Sequence, residues 1–195
     1  MIDVHCLTHK QDDRYFPLLK KQMETEEDVC FHIVQNGNNI GLGRTAGFLR
    51  GDAPYVSYVD YDDLIEPGIF TKINEVMETG VPWCYTDEML IDEEGKHLQP
   101  GWSSNPELYN ETILGFMRIN KNEHVHHIIT FRRELFTPKM FYIMKQLHEL
   151  PEVYLITELA GYHHKHIHEV GCFWRQHADS SLKKHECYRN GGGMK

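Results

Sequence analysis

The sequence predicts an α/β protein with a mostly parallel central sheet flanked by helices. Strand-like and helix-like segments alternate three times within the first 85 residues, the pattern of parallel strands joined by crossover helices. Gly, Pro and Asn separate the segments as turn signals. A third observation points to a site: Asp60, Asp62 and Asp63 cluster where the third strand ends, in "PYVSYVDYDDLIEPG". In such sheets ligands bind beyond the carboxyl ends of the strands.

The elements follow in order. "IDVHCLTH" reads as the first strand and "DDRYFPLLKKQM" as a short helix, with apolar Phe16, Leu19 and Met23. Pro17 lies in its opening turns, where a missing N–H is tolerated. "DVCFHIVQNG" is a second strand closed by Asn-Gly, "IGLGRTAGFLRGDA" a glycine-punctuated helix, and "PYVSYVD" the third strand. "EPGIFTKINEVMETG" is helical between Pro67 and Gly80, and "VPWCYTD" is the fourth strand. "MLIDEEGKHL" suggests a hairpin, residues 105–120 a helix, and "HVHHIITFRRELF" a strand running into a helix. "PEVYLITELAGY" reads as a helix begun by Pro151 and Glu152, and "HKHIHEVGCFWRQH" as one or two strands.

The chain has 195 residues, 41% hydrophobic and 25% charged, as expected of one soluble globular domain. No stretch approaches the roughly 18 apolar residues of a membrane span, and the N-terminus lacks the layout of a secretory signal. The five cysteines are scattered with no C-x-x-C pair, which fits reduced thiols and a cytoplasmic protein. Residues 1–160 carry a charge of −12 and residues 161–195 carry +3. The acidic bulk argues against indiscriminate nucleic-acid binding.

Three motif groups in order resemble the family-2 glycosyltransferases. "GLGRTAGFLRGDAPYVSYVDYDD" resembles their arginine-bearing helix, strand and acidic D-x-D metal motif. "CYTDEMLIDEEGKHL" resembles the following strand and hairpin. "HHIITFRRELF" and "PEVYLITELAGYHHKHIHEVGCFWRQHADSS" resemble the acceptor-side helix and the closing strand with its Trp-Arg-x-His signature. The resemblance spans roughly residues 2–182. It implies a GT-A (Rossmann-like) domain over residues 1–185, with a nucleotide-sugar half (1–100), an acceptor-side half (101–185) and a disordered tail (186–195). It also implies an inverting, metal-dependent transfer of a hexosyl or pentosyl unit from a nucleoside-diphosphate donor, here a UDP-sugar, to a hydroxyl.

That chemistry assigns roles. Departure of a diphosphate calls for a hard divalent cation, Mn²⁺ or Mg²⁺, held by oxygen ligands. By resemblance Asp60 lies near the ribose and the metal, Asp62 is the principal ligand, and Asp63 is a ligand or a brace. His177 reaches the metal or the diphosphate, and Arg175 supplies charge to the diphosphate or pairs with a surface carboxylate. Thr8 ends the first strand on the nucleotide side. Asn36 stands where the family often has an aspartate facing the base, and its amide oxygen can accept the same bond. Arg44 resembles the base- and phosphate-side arginine. Glu152 aligns with the second member of an acidic pair that supplies the catalytic base, and Pro151 replaces the first. Glu149 and Glu158 are neighbours that could be confused with it, and Asp87 is an acceptor-side candidate.

Two readings stay open. The acceptor is a soluble glycan or a hydroxymethylated DNA base, as in phage-type enzymes acting in a host cytoplasm, and a non-catalytic nucleotide-sugar-binding module is the alternative to an enzyme. His164, His166 and His168 share a face if their segment is a strand, which invites a zinc reading, but no cysteine or carboxylate with ligand spacing completes it. The "HVHH" at 124–127 reads the same way. Trp83 and Trp174 are expected to pack, and Trp102 could stack under an acceptor ring.

Overall fold

The structure, a computed structural model, describes residues 1–8, 14–35, 39–101, 103–104, 118–120, 123–148 and 151–177. The strand β1 (Ile2–Thr8) is flanked in parallel by β2 (Val29–Gln35) and β3 (Tyr55–Asp60). β1 is buried on both faces, with apolar Ile2, Val4 and Cys6 alternating with the buried polar side chains Asp3 and His5. The remaining strands are β4 (Leu64–Ile65), β5 (Trp83–Ile91), β6 (His97–Pro100), β7 (Arg118–Asn120), β8 (Glu123–His124), β9 (Ile129–Arg132) and β10 (His164–Arg175). The main sheet runs in the order β2-β1-β3-β9-β5-β10-β4, with β6 beside β5, while β7 and β8 form a separate pair. β1, β2, β3, β5 and β10 point the same way, so Thr8, Asp60 and Arg175, which end three of them, emerge at one edge of the sheet. The mostly parallel α/β fold expected from the sequence is the fold observed.

Among the described residues five α-helices cover the sheet: α1 (Phe16–Met23), α2 (Ile40–Phe48), α3 (Ile69–Glu78), α4 (Pro138–Met144) and α5 (Pro151–Leu159). On one face α1 and α3 bury Leu19, Ile69, Phe70, Ile73 and Met77 against Ile2, Val4 and Cys6 of β1. Full burial of each large side chain is worth about 1.5–3 kcal/mol. On the other face Phe48, Met140, Met144, Leu155 and Leu159 close over Tyr58, Trp83 and Phe131.

Local chemistry sets the helix ends. Asn39 caps α2 by accepting from the Leu42 N–H at 2.8 Å. α3 follows Gly68, whose φ of +79° suits glycine, and its start is tied down from afar. Glu26 accepts from the N–H groups of Gly68 and Phe70 at 2.7 and 3.2 Å. The "DEEG" turn forms the expected hairpin, with Asp92 Oδ1 accepting from the N–H groups of Glu94 and Lys96.

Several expectations need correction. The helix expected after β9 is a single 3₁₀ turn, Arg133–Leu135. Pro138 disfavours helical backbone at Thr137, and Thr137 is extended and caps the new helix α4 instead. Residues 118–120, expected at the end of a helix, form β7 paired with β8; the rest of that helix, residues 105–117, lies outside the described residues, as do Trp102 and residues 186–195. The helix expected over residues 40–53 ends at Phe48. The closing segment is one strand, β10, with bulges near residues 167–172. No helix among the described residues is long and apolar enough to cross a membrane.

Charge is also buried under α2. Asp3 is 3% exposed, and its carboxylate is matched by the Arg133 guanidinium, His32 Nε2 at 2.6 Å and the Ala53 N–H at 2.8 Å. Arg133 also donates to the carbonyls of Phe48 and Ala53, both at 2.7 Å, which fastens the end of β9 to the end of α2.

Helix α2 approaches the C-terminal end of α4 so closely that only glycine fits at position 41. The Gly41 N–H donates to the Leu147 carbonyl at 3.1 Å, and a Cβ there would overlap the carbonyl oxygens of Met144 and Leu147. Gly41→Ala is therefore expected to cost about 1–3 kcal/mol, read as a lowered melting temperature. Leu42→Ala, on the exposed side of the same turn, should change stability by no more than about 0.5 kcal/mol.

Candidate active site

The acidic corner follows directly from β3. The Asp63 N–H donates back to the Asp60 carbonyl at 3.2 Å, and that turn sends the three carboxylates in different directions. Asp60 faces Arg44 of α2 and lies 3.7 Å from His127 Nε2. Asp62 pairs with His177 Nε2 at 2.7 Å. Asp63, 1% exposed, turns inward and accepts from the Arg175 N–H at 2.9 Å, with the Cys172 thiol donating to its other oxygen.

Separate surroundings push Asp60, Asp63 and His127 in different directions. Burial pushes Asp60 up, but Arg44, with help from His127, outweighs it and holds the carboxyl at about 2. Asp63 goes the opposite way: burial, then the charges of Asp62 and Asp60, raise it well above the usual carboxylate range. Burial and neighbouring His126 lower His127 to about 3, which keeps its imidazole neutral.

Arg44 is the hub. It is 3% exposed, donates from Nη2 to Asp60 and from Nε to Glu152 at 2.6 Å, and lies 4.1 Å over the Tyr58 ring. Burial opposes its charge, but Asp60 and Glu152 more than compensate and raise its pKa further. Its Nη1 is buried without a hydrogen-bond partner among the described residues.

The other sequence candidates take distinct places. Thr8 is half-buried at the end of β1, one residue beyond Leu7, which sits beside Asp60 in the sheet. Asn36 lies outside the described residues, directly after the last residue of β2. Arg175 is buried: Nε donates to the Asp62 carbonyl at 2.8 Å and Nη1 to the carbonyls of Asp92 and Glu93. Its guanidinium, 4.5 Å above the Tyr15 ring, braces the acidic turn from below. Glu158 is engaged by Lys139 and Tyr154, and Glu149 lies outside the described residues. Asp87 pairs with His166 at 2.7 Å, away from the corner's own partners.

Sequence reasoning weighed His126 and His127 only as part of a zinc motif, did not place them at the acidic corner, and missed Glu88. Glu88 is fully buried and its Oε2 lies 2.8 Å from His126 Nδ1, and His126 packs edge-on against Trp174. The signal was "HVHH" itself, four residues whose position just before β9 carries them to the end of β3.

A metal's fit to this corner can be judged from the donor set. Ligand atoms of Asp60, Asp63 and His127 all lie within 4.8 Å of one another; Asp62 belongs to the same turn but its side chain goes to His177, beyond β10, so the expected ligands Asp62 and His177 stand outside that group. Carboxylate oxygens with a neutral imidazole suit Mn²⁺ or Mg²⁺.

No family model matches the sequence, and no curated protein matches it. Solved structures do share the architecture. TarS residues 1–349 from S. aureus matches at a TM-score of 0.63 and 10% identity, over 89% of this chain and 60% of that one. This chain shares its fold with TarS. The same TarS segment in complex with UDP gives 0.62 and 13% identity over 90% of this chain. In complex with UDP-GlcNAc it gives 0.60 and 12% over 93%. This chain spans about 60% of the length of those TarS structures.

Two predictions follow from the buried charges. Arg44→Met leaves Asp60 and Glu152 facing each other without a cation and should cost about 3–5 kcal/mol. In a double-mutant cycle, Glu152→Gln should recover part of that loss. His5 is held far below its usual value of 6.5, first by burial and then by Arg44. It stays neutral in the fold while the unfolded chain takes up a proton, so stability falls as the pH drops below 6.5, by up to about 1.4 kcal/mol per pH unit. Denaturant titrations from pH 7 to 5 should show a shallower decline for His5→Leu than for the wild type.

Proposed function

We propose that this chain is an inverting glycosyltransferase that moves a sugar from a UDP-sugar to a hydroxyl acceptor. The observation carrying the reading is the joint placement of Asp60, Asp62, His127 and His177 with the Arg44–Glu152 pair. They gather at the carboxyl end of β3, in a fold shared with TarS structures that contain UDP and UDP-GlcNAc.

In this reading Asp60, Asp62 and His177 hold Mn²⁺ or Mg²⁺, with His127 a further neutral donor. When bound, the cation neutralises charge on the departing diphosphate. Thr8 and Asn36 line the nucleotide side. Arg44 Nη1, which has no hydrogen-bond partner among the described residues, donates to the donor substrate. Arg175 acts from beneath, keeping Asp62 and Asp63 in position by binding backbone oxygens.

Glu152 takes the acceptor's proton. Arg44 fixes one oxygen of that carboxylate at 2.6 Å, which leaves the other to accept from the hydroxyl. As the O–H bond breaks towards Glu152, the acceptor oxygen bonds to the anomeric carbon. The bond from that carbon to the diphosphate oxygen breaks on the opposite side, and configuration inverts. The proposed acceptor is a soluble glycan or a hydroxymethylated DNA base.

A second reading, a nucleotide-sugar-binding module without turnover, is favoured by Pro151 standing in for an acid and by the capture of Glu152 by Arg44. Donor consumption separates the two. Glu152→Gln should retain donor affinity and lose transfer by about 10²–10⁴-fold. Asp62→Ala should lose both transfer and Mn²⁺-dependent donor hydrolysis. Normal turnover in either variant would remove that residue from its role, and a wild type that binds donor without product against any hydroxyl acceptor would favour the module.

A further inference from the structure

The histidines of β10 find their missing carboxylate on a neighbouring strand. β10 runs parallel to β5, with His166 beside Tyr85 and Ile167 beside Thr86. A bulge then shifts the register so that Val170, not residue 168, stands beside Asp87. Asp87 is thereby brought alongside the histidine-bearing segment. Its Oδ1 lies 2.7 Å from His166 Nε2, and the His166 and His168 rings sit with centroids 4.0 Å apart.

We propose that Asp87, His166 and His168 bind a divalent transition-metal cation of the zinc class, at a site separate from the acidic corner. One ligand atom from each lies within 4.8 Å of the other two. Tetrahedral zinc with bonds of about 2.0–2.1 Å needs its ligand atoms about 3.4 Å apart, a distance that small side-chain rotations reach. Two imidazole nitrogens are borderline donors, and beside a single carboxylate oxygen they favour zinc-like ions over Mg²⁺.

The surroundings support a built site. The Tyr85 ring stacks on His166 at 4.3 Å between centroids and fixes the plane of that imidazole. Asp87 and His166 are mostly buried, with side chains 18% and 14% exposed, while His168 is exposed. Two ligands are thus held in place, and the third opens an entry path with the fourth coordination position towards solvent. A simple ion pair accounts for Asp87 and His166 alone; it gives no reason for His168 to be packed against them. The adjacent residue Glu88 serves His126 at the corner, and no residue is shared between the two clusters. The cation would fasten β10 to β5 just where the bulge weakens their ladder.

The test uses the full chain with Zn²⁺ and Co²⁺ as probes in the presence of millimolar Mg²⁺. Zn²⁺ is titrated in competition with a chromophoric chelator, and Co²⁺ is followed by its visible absorption. The wild type should bind one equivalent of Zn²⁺ that Mg²⁺ does not displace. His168→Ala, at an exposed position, and Asp87→Asn should each weaken binding at least tenfold and lose the Co²⁺ band. Asp62→Ala should keep both, which also separates this site from the donor site. The proposal is overturned if the wild type binds no such equivalent, if His168→Ala and Asp87→Asn bind like the wild type, or if Asp62→Ala abolishes binding.

Discussion

One buried guanidinium organises the carboxyl end of this sheet. Arg44 reaches from α2 to Asp60 at the end of β3 and to Glu152 at the start of α5, and it rests on the face of Tyr58. Taking that charge out of water costs several kcal/mol. The two carboxylates offset the cost, and Arg44 in turn holds Asp60 in its ionised form. Elements far apart in sequence are thus locked into one arrangement by mutual need. A hydrophobic replacement could hold the same helices together, but it would not leave two carboxylates fixed on one guanidinium at the end of β3 and the start of α5.

The same logic resolves the like charge of the acidic turn. Three neighbouring aspartates do not behave as three equal anions. Asp60 is compensated by Arg44. Asp62 shares a hydrogen bond with His177. Asp63 is buried against Cys172 and the Arg175 N–H and is driven towards its neutral form. Repulsion is relieved by sending each side chain to a different partner, and Arg175 fastens the backbone that does the sending. A cation arriving at the corner would change this balance and favour ionisation of Asp63.

Much of the fold was legible because its signals were local. The strands β1, β2, β3 and β5 read from apolar runs bounded by turns, and α3 from its period and its Pro-Gly entrance. β9 was harder, since four residues wedged antiparallel between β3 and β5 carry no pattern that reveals their neighbours. Helix α4 went unread because its start rests on the single Thr137–Pro138 step. At the site, the D-x-D spacing, Arg44 and Glu152 were visible as residue types, but their convergence depends on topology. The contact between Glu88 and His126 went unread for the same reason, since a buried hydrogen bond joining β5 to the segment before β9 leaves no trace in spacing. Asp87 likewise completes a cluster with His166 from 79 positions away.

The central claim is that the acidic corner is where a divalent cation and a nucleoside diphosphate meet. Calorimetric titration of the full chain with UDP, with and without saturating Mn²⁺, tests it most directly. The account predicts that each ligand tightens the other, by the same factor of tenfold or more in either order of addition. UDP affinity that is indifferent to Mn²⁺ would contradict it.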